Sequence, residues 1–398
     1  MLTGDGAYIK KINRSFILNT IFEHYKISRA NLSKITGLNK ATISVQVNDL
    51  LKNKLIYETR EEHKGLGRTP ILLSINERAS YFLGVDLDRD HILFNITDLK
   101  GDTVKYKKLE LQTDVFEEIV SILAKQIKAY KEEYAFAQYG LAQTIIAIHG
   151  TITNEGELHF VPSYQWRDVN IKEELAKHGV YDVHVENNAN LSAYAEKAIQ
   201  YNQSNNLLNI NLASGIGAGI IINGELHKGF HGHAGEMGHM IVYPDGRSCR
   251  CGNKGCWEKY ASEPVFFNYA NNTLQDPIRS DSDFKKMLDK GDEHILASIK
   301  NWIQDIAIGL NNVINLYNPE MIVLNSPILK AYPDSLKEIE KHLHSSVCHY
   351  REIVLSALGA KAGVIGACAM GIQHFLELPR LTLSETNNCI NNEKELTI

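Results

Sequence analysis

Across residues 13–25, apolar residues Phe16, Ile17, Leu18, Ile21 and Phe22 recur at helical spacing, which predicts a first helix. A second follows, with Ser28 as N-cap, Leu32 and Ile35 on one face, and Gly37 supplying the tight turn of a helix-turn-helix connection. Asn39 then caps a third helix, along which Ile43, Val47, Leu50 and Leu51 make the buried stripe and Ala41, Thr42, Ser44, Val45 and Asn48 turn outward. Two strand-like pieces, residues 55–58 and 71–75, flank the basic stretch Lys64-Gly65-Leu66-Gly67-Arg68. A linker is expected near residues 76–80. Beyond it, strand-like runs at 81–87, 92–97, 104–111, 144–148, 183–185 and 321–324 are interspersed with amphipathic helices such as 116–130, the pattern of an α/β class with two sheet-centred lobes. Residues 361–375 read as a small-residue-rich helix packing back on a lobe, and the polar, Asn-rich stretch 381–398 reads as disordered.

Charge divides the chain. Residues 1–75 hold 12 Lys and Arg against 6 Asp and Glu, net +6, while the remainder holds 30 against 41, net −11. A basic module on an acidic body points to nucleic acid, although chance surface composition gives the same numbers. The outward face of the third helix is small and polar. Thr42, Ser44 and Asn48 suit the reading of base edges in a major groove, Val45 suits a thymine methyl, and Lys40 suits a phosphate. The basic stretch between the two strands suits a wing, with Arg68 placed for a minor groove or for phosphates. The same three helices also fit a dimerisation or docking module. A length of 398 residues suggests two or three domains. No apolar run approaches the ~18 residues of a membrane span and no apolar stretch follows Met1, so a cytoplasmic location without membrane contact is expected.

Residues 233–258 read HAGEMGHMIVYPDGRSCRCGNKGCWE. Cys249, Cys251 and Cys256 stand on a short Gly-containing loop, and His239 upstream is the obvious fourth donor. One His and three Cys satisfy tetrahedral Zn²⁺ and leave no open position, so the expected role is structural. A redox cluster of free thiols, or a fourth ligand elsewhere, stays open as an alternative.

The sequence GEMGH followed by CRCGNKGCWE resembles the signature of the ROK family, which groups repressors, open-reading-frame proteins and sugar kinases. The likeness extends over residues 81–375: Glu186-Asn187-Asn188-Ala189-Asn190 resembles the family's sugar-binding E-N-D-A-N, and Ala213 to Gly219 its second glycine-rich phosphate loop. The resemblance implies a two-lobed, actin-like ATPase (ribonuclease H-like) domain behind an N-terminal winged helix-turn-helix. The implied boundaries are 1–76 for the head, 79–190 joined by helix 360–376 for a small lobe, and 191–359 for a large lobe with the zinc site and a dimerisation surface. It also implies that Asn187, Asn188, Glu236, His239 and Glu258 hydrogen-bond a sugar, His239 giving one ring nitrogen to zinc and the other to the sugar.

Two departures from the family's kinases stand out. The catalytic Asp of E-N-D-A-N is Asn188 here, an amide that accepts no proton at neutral pH. The phosphate-binding D-x-G-G-T is Asp86-Leu87-Asp88-Arg89-Asp90, where charged side chains replace glycines and the carboxylates repel a triphosphate. No ATP is therefore expected, and the glycines at 215, 217 and 219 are read as structural. Among the family's repressors the chain most resembles the xylose-responsive ones, in Ser28 to Leu32, Gly37 to Thr42 and Gln46 to Asn48. This implies xylose as inducer, a palindromic operator, and a homodimer or dimer of dimers. A sugar kinase with a regulatory head, or a repressor relieved by a protein partner, is the alternative.

Overall fold

The computed structural model describes residues 6–60, 70–272, 277–278 and 281–383. They form two compact units: one runs to Leu191, takes in Ala198–Asn202 and resumes at Gly363, and the other comprises Ser192–Lys197 and Gln203–Ala362.

The first unit opens with α1 (Gly6–His24), β1 (Ile27–Ser28), α2 (Arg29–Thr36) and α3 (Lys40–Lys52). Helix α1 starts earlier than its apolar pattern indicates. Ile17, Leu18, Ile21 and Phe22 are buried, whereas Phe16, grouped with them by spacing, is 50% exposed and lies with Tyr8, Ile9 and Ile12 on an outer stripe. Both caps form as their residue types dictate: Ser28 Oγ accepts from the Asn31 amide (3.2 Å) and Asn39 Oδ1 from the Thr42 amide (2.8 Å). Gly37, at φ 70°, ends α2 in the left-handed region that a side chain would disfavour. Along α3, Ile43, Val47 and Leu50 are buried; Leu51 is only half-buried, and its place in the core is taken by Gln46, whose Nε2 donates to the Lys10 carbonyl (3.3 Å). Strands β2 (Ile56–Arg60) and β3 (Ile71–Ile75) pair antiparallel, and β1 joins the free side of β3. Residues 61–69, Arg68 among them, lie outside the described residues.

A five-stranded sheet follows, built from β4 (Tyr81–Leu87), β5 (His91–Asp98), β6 (Thr103–Glu110), β7 (Leu141–Ile148) and β11 (Val183–Asn187) in the order β11-β7-β4-β5-β6. The hairpins β4–β5–β6 are antiparallel, while β4, β7 and β11 run parallel, so three strand ends come together at one edge. Helix α4 (Phe116–Glu133) lies on one face and buries Ile119, Leu123 and Ile127 against Val85, Phe94 and Ile146. A small sheet of β8 (Thr151–Ile152), β9 (Leu158–Val161) and β10 (Trp166–Val169), with α5 (Ile171–Lys177), completes this side. Helix α6 (Asn188–Ala195) starts at the end of β11. The C-terminal helix Ala362–Leu376 packs on β4 so closely that a Cβ on Gly84 would stand 2.3 Å from the Val364 carbonyl. Residues 381–383, expected to be disordered with the rest of 381–398, are instead placed against the first unit: Leu381 and Leu383 are buried and the Leu383 amide donates to the Ala198 carbonyl (2.8 Å), while residues 384–398 lie outside the described residues.

The second unit is also a five-stranded sheet, β12 (Leu207–Leu212), β13 (Ile216–Ile222), β14 (Glu225–Leu226), β15 (Met321–Asn325) and β16 (Glu352–Leu355), ordered β14-β13-β12-β15-β16. It is covered by α7 (Glu258–Ala261), α8 (Glu263–Asn271), α9 (Asp281–Asp289) and the long α10 (Glu293–Tyr317), with α11 (Pro327–Ala331) and α12 (Ser335–Glu340) beyond β15. Trp257 is fully buried against α10, where a Cβ on Gly309 would meet its indole at 2.0 Å. Among the described residues no helix is long and apolar enough to cross a membrane.

Candidate functional site

In the second unit, the short turn Met237–His239 presents His239 beside a loop whose ends are fastened by a bridge between Ile241 and Cys256. Gly255 makes the loop possible: its φ is 81°, and a Cβ there would lie 1.7 Å from the Tyr243 carbonyl. The Cys249 amide donates to Asn253 (2.9 Å) and the Gly255 amide to Arg247 (2.8 Å), so three thiols are turned to one side. Cys249 Sγ stands 3.6 Å from His239 Nδ1, and Cys251 Sγ 3.6 Å from Cys256 Sγ. One ligand atom from each of the four residues lies within 4.8 Å of every other, and a tetrahedron of Zn–S bonds of about 2.3 Å has edges of about 3.8 Å, so the donor set fits a metal ion.

The expected sugar contacts of this unit adjoin the metal donors. His239 Nε2 points away from the thiols and lies 3.9 Å from Glu236 Oε2, while Glu258 Oε1 is 4.0 Å from Nδ1. Burial raises the Glu236 carboxyl above the ordinary value and the neighbouring Glu258 adds to this, against the opposing pull of His239. The GEMGH turn sits tightly on β13: Cβ atoms on Gly235 and Gly238 would meet the carbonyls of Ala218 and Ile216 at 2.0 and 2.4 Å.

Asn187 and Asn188 belong to the first unit. Asn187 is engaged by backbone, its Oδ1 capping α6 through the amides of Ala189 (2.7 Å) and Asn190 (3.1 Å) and its Nδ2 donating to the Gly150 carbonyl (2.8 Å). Asn188 is 7% exposed and donates Nδ2 to Asp86 Oδ2 (2.8 Å). The other Asp86 oxygen lies 2.8 Å from His149 Nε2. Burial opposes charge on His149, but the Asp86 carboxylate outweighs it and lifts the imidazole to about 9. Asp86 opens the altered phosphate motif of the sequence but is given no partner there, and His149 is given no role. Their only signal is position, at the ends of neighbouring parallel strands, where Asp86 faces Ala147 and Asn187 faces Ile148. The turn that replaces the glycines is braced by Tyr164, whose hydroxyl donates to the Asp88 carbonyl (2.5 Å) and whose ring stacks on Trp166 (4.3 Å).

On the head, Lys40, Ala41, Ser44, Val45 and Asn48 are exposed, Val45 at 61%, and Thr42 is half-buried beneath its cap. Arg29, to which the sequence reading gave no role, joins this face. Its guanidinium donates to Asn48 Oδ1 (3.0 Å) and pairs with Glu58 (3.0 Å), tying α2 to α3 and β2.

The profile described as the ROK family matches residues 82–374. The xylose repressor of Bacillus subtilis (strain 168) is 33% identical over 379 residues, covering 94% of this chain and 98% of that protein. The DNA-binding transcriptional dual regulator NagC of Escherichia coli (strain K12) is 26% identical over 396 residues, covering 94% and 98%. Among solved structures, a ROK family transcriptional regulator described as a homolog of the E. coli MLC protein superposes with a TM-score of 0.78 at 26% identity, over 92% of this chain and 96% of that one. A ROK family glucokinase from Streptomyces griseus, in complex with glucose and AMPPNP, gives 0.63 at 25% identity over 73% of this chain and 98% of its own. With residues 82–374 inside the family profile and a relative one-third identical across nearly its whole length, this chain belongs to the ROK family.

Proposed function

We propose that this chain is a transcriptional repressor that leaves its operator when a monosaccharide, D-xylose, binds. The observation that carries the reading is that similarity to the named xylose repressor covers 94% of the chain, and so reaches past the family domain into the N-terminal helices. Those helices and the β2–β3 pair form a winged helix-turn-helix in this reading. Helix α3 enters the major groove, with Lys40 on a phosphate, Thr42, Ser44 and Asn48 on base edges and Val45 against a thymine methyl. The wing carries Arg68. Two copies related by a two-fold axis read a palindrome.

Asn188, Glu236, His239 and Glu258 offer amide, carboxylate and imidazole groups for sugar hydroxyls, and Asn187 holds its neighbour in place by capping α6. A Zn²⁺ ion on His239, Cys249, Cys251 and Cys256 supplies a closed structural centre that fixes the Glu236 to Glu258 segment. The chain is not an enzyme in this reading: the group at the base position is an amide already donating to Asp86, and the first phosphate turn is Asp88-Arg89-Asp90.

Sugar shifts the equilibrium only through a difference in affinity between the DNA-competent state and the released state, and by linkage DNA weakens sugar binding by the same factor. The test is fluorescence anisotropy on a duplex selected by the protein from a random pool, with and without monosaccharides, alongside an assay for sugar phosphorylation with ATP. Expected are sequence-specific binding, release by D-xylose and no phosphorylated sugar. Unchanged DNA affinity at saturating D-xylose overturns the inducer, and phosphorylated pentose overturns the repressor reading.

A further inference from the structure

Two parts of the first unit, the Asp86–Asn188 cluster and the three-helix head, are touched by one element, the C-terminal helix Ala362–Leu376. Its first turns leave no slack. A Cβ on Gly363 would stand 2.2 Å from Asn188 Nδ2 and 3.1 Å from Asp86 Oδ2, and one on Gly366 would stand 1.9 Å from the Leu191 carbonyl. From the sheet side, a Cβ on Gly84 would meet Val364 O at 2.3 Å and Cys368 Sγ at 2.9 Å. Backbone therefore lies directly on the amide, the carboxylate and the strand. Packed interiors of this kind are stiff, so a displacement of Asn188 must be passed to the helix rather than absorbed.

The other end of the helix meets the head. Lys11 Nζ pairs with Glu377 Oε2 (2.6 Å), and Ser15 Oγ donates to the Glu377 carbonyl (3.3 Å); Lys11 and Ser15 are four apart on α1 and share a face. The Phe375 ring packs edge-on against Tyr139 (5.1 Å), and the Tyr139 hydroxyl donates to the carbonyl of Asn53 (3.0 Å), the residue that caps the C-terminus of α3. One short joint thus grips both the first helix and the end of the helix that carries the groove-facing side chains. A 15-residue helix spans about 22 Å, so the two ends are well separated.

We propose that Glu377 and Tyr139 are positioning residues for the DNA-binding head, and that the C-terminal helix is the rod connecting them to the sugar-side cluster at Asn188 and Asp86. The inference rests on the repressor reading above. When a sugar hydroxyl competes for the Asn188 amide, the side chain moves against Gly363, the helix shifts along the sheet, and the joint at residues 375–377 turns the head.

The test uses full-length, zinc-loaded protein and a duplex selected by the wild-type chain. Its readout is the ratio of DNA affinities without and with saturating D-xylose, together with D-xylose affinity measured by calorimetry in the absence of DNA. Lys11→Glu, Glu377→Lys and Tyr139→Phe should each lower the ratio about two- to five-fold, the range of an exposed ion pair or a single hydrogen bond, while D-xylose affinity stays within about two-fold of wild type. The double exchange Lys11→Glu with Glu377→Lys should recover the ratio. A wild-type ratio in all three single variants overturns the rod. A wild-type chain whose DNA affinity ignores D-xylose overturns the functional reading, and the rod with it. Tyr139→Phe removes one hydroxyl and alters no charge, so it decides the matter if a charge reversal fails to fold.

Discussion

Glu196 is fully buried, accepts from Ser356 Oγ through Oε1 (2.5 Å), and leaves Oε2 with no hydrogen-bond partner. Burial pushes its carboxyl from 4.5 to about 7, against the opposing effects of Ser356 and Lys330. The folded chain thus holds this proton more tightly than the unfolded one, and stability falls as pH rises through the interval from 4.5 to 7, then levels off. With those two values the ionisation penalty is about 1 kcal/mol at pH 5 and about 3 kcal/mol at pH 8. Glu196→Gln keeps an oxygen for Ser356 and cannot ionise. Its stability relative to wild type should therefore improve by about 2–3 kcal/mol between pH 5 and pH 8. Chemical denaturation followed by tryptophan fluorescence at the two pH values measures the change, because Trp257 and Trp302 lie in the core of the same unit. A difference between variant and wild type that is independent of pH would refute the assigned cost of burying this carboxylate.

His149→Gln tests the same sign on a basic group, in a higher pH window. The imidazole is raised to about 9, so its pairing with Asp86 stabilises fully below about 6.5 and is lost as pH climbs through 9; the variant should melt below wild type at pH 6 and match it at pH 10. Asn188→Asp sets a second carboxylate against Asp86 and removes their hydrogen bond, which should cost about 3–5 kcal/mol at pH 8 and less toward pH 4, read from denaturation midpoints. Gly255→Ala forces a Cβ to within 1.7 Å of the Tyr243 carbonyl at a φ of 81°; the metal loop should fail to close, and elemental analysis of the purified variant should find far less than one zinc per chain.

What the sequence revealed was mostly what is local. Ser28 and Asn39 bond amides three residues away, so residue type and spacing suffice to place the starts of α2 and α3. His239, Cys249, Cys251 and Cys256, the group that could hold a metal, lie within one short segment, and their grouping was equally legible. Phe16 is exposed although helical spacing groups it with the core, and Gln46 is buried although it belongs to no apolar stripe, because the packing of α1 against α3, and not either helix alone, decides which side is covered. Asp86, His149 and Asn188 are separated by 63 and 102 residues and become neighbours only through the register of β4, β7 and β11. Leu381 and Leu383 were outvoted by the polar residues around them, although two leucines with a surface to cover were enough to hold the chain.

The compactness of the thiol loop along the chain has a consequence for biogenesis. His239 to Cys256 spans 18 residues, so closing the ring of donors costs little conformational entropy, and a chain without any other tertiary structure can close it too. If zinc fills the site as proposed, it can then be captured during synthesis, before the ribosome has released β15 and β16 to finish the sheet, provided Gly255 is free to take its left-handed turn. Any such binding to the denatured chain should make zinc raise the melting temperature by less than its affinity for the native protein would give.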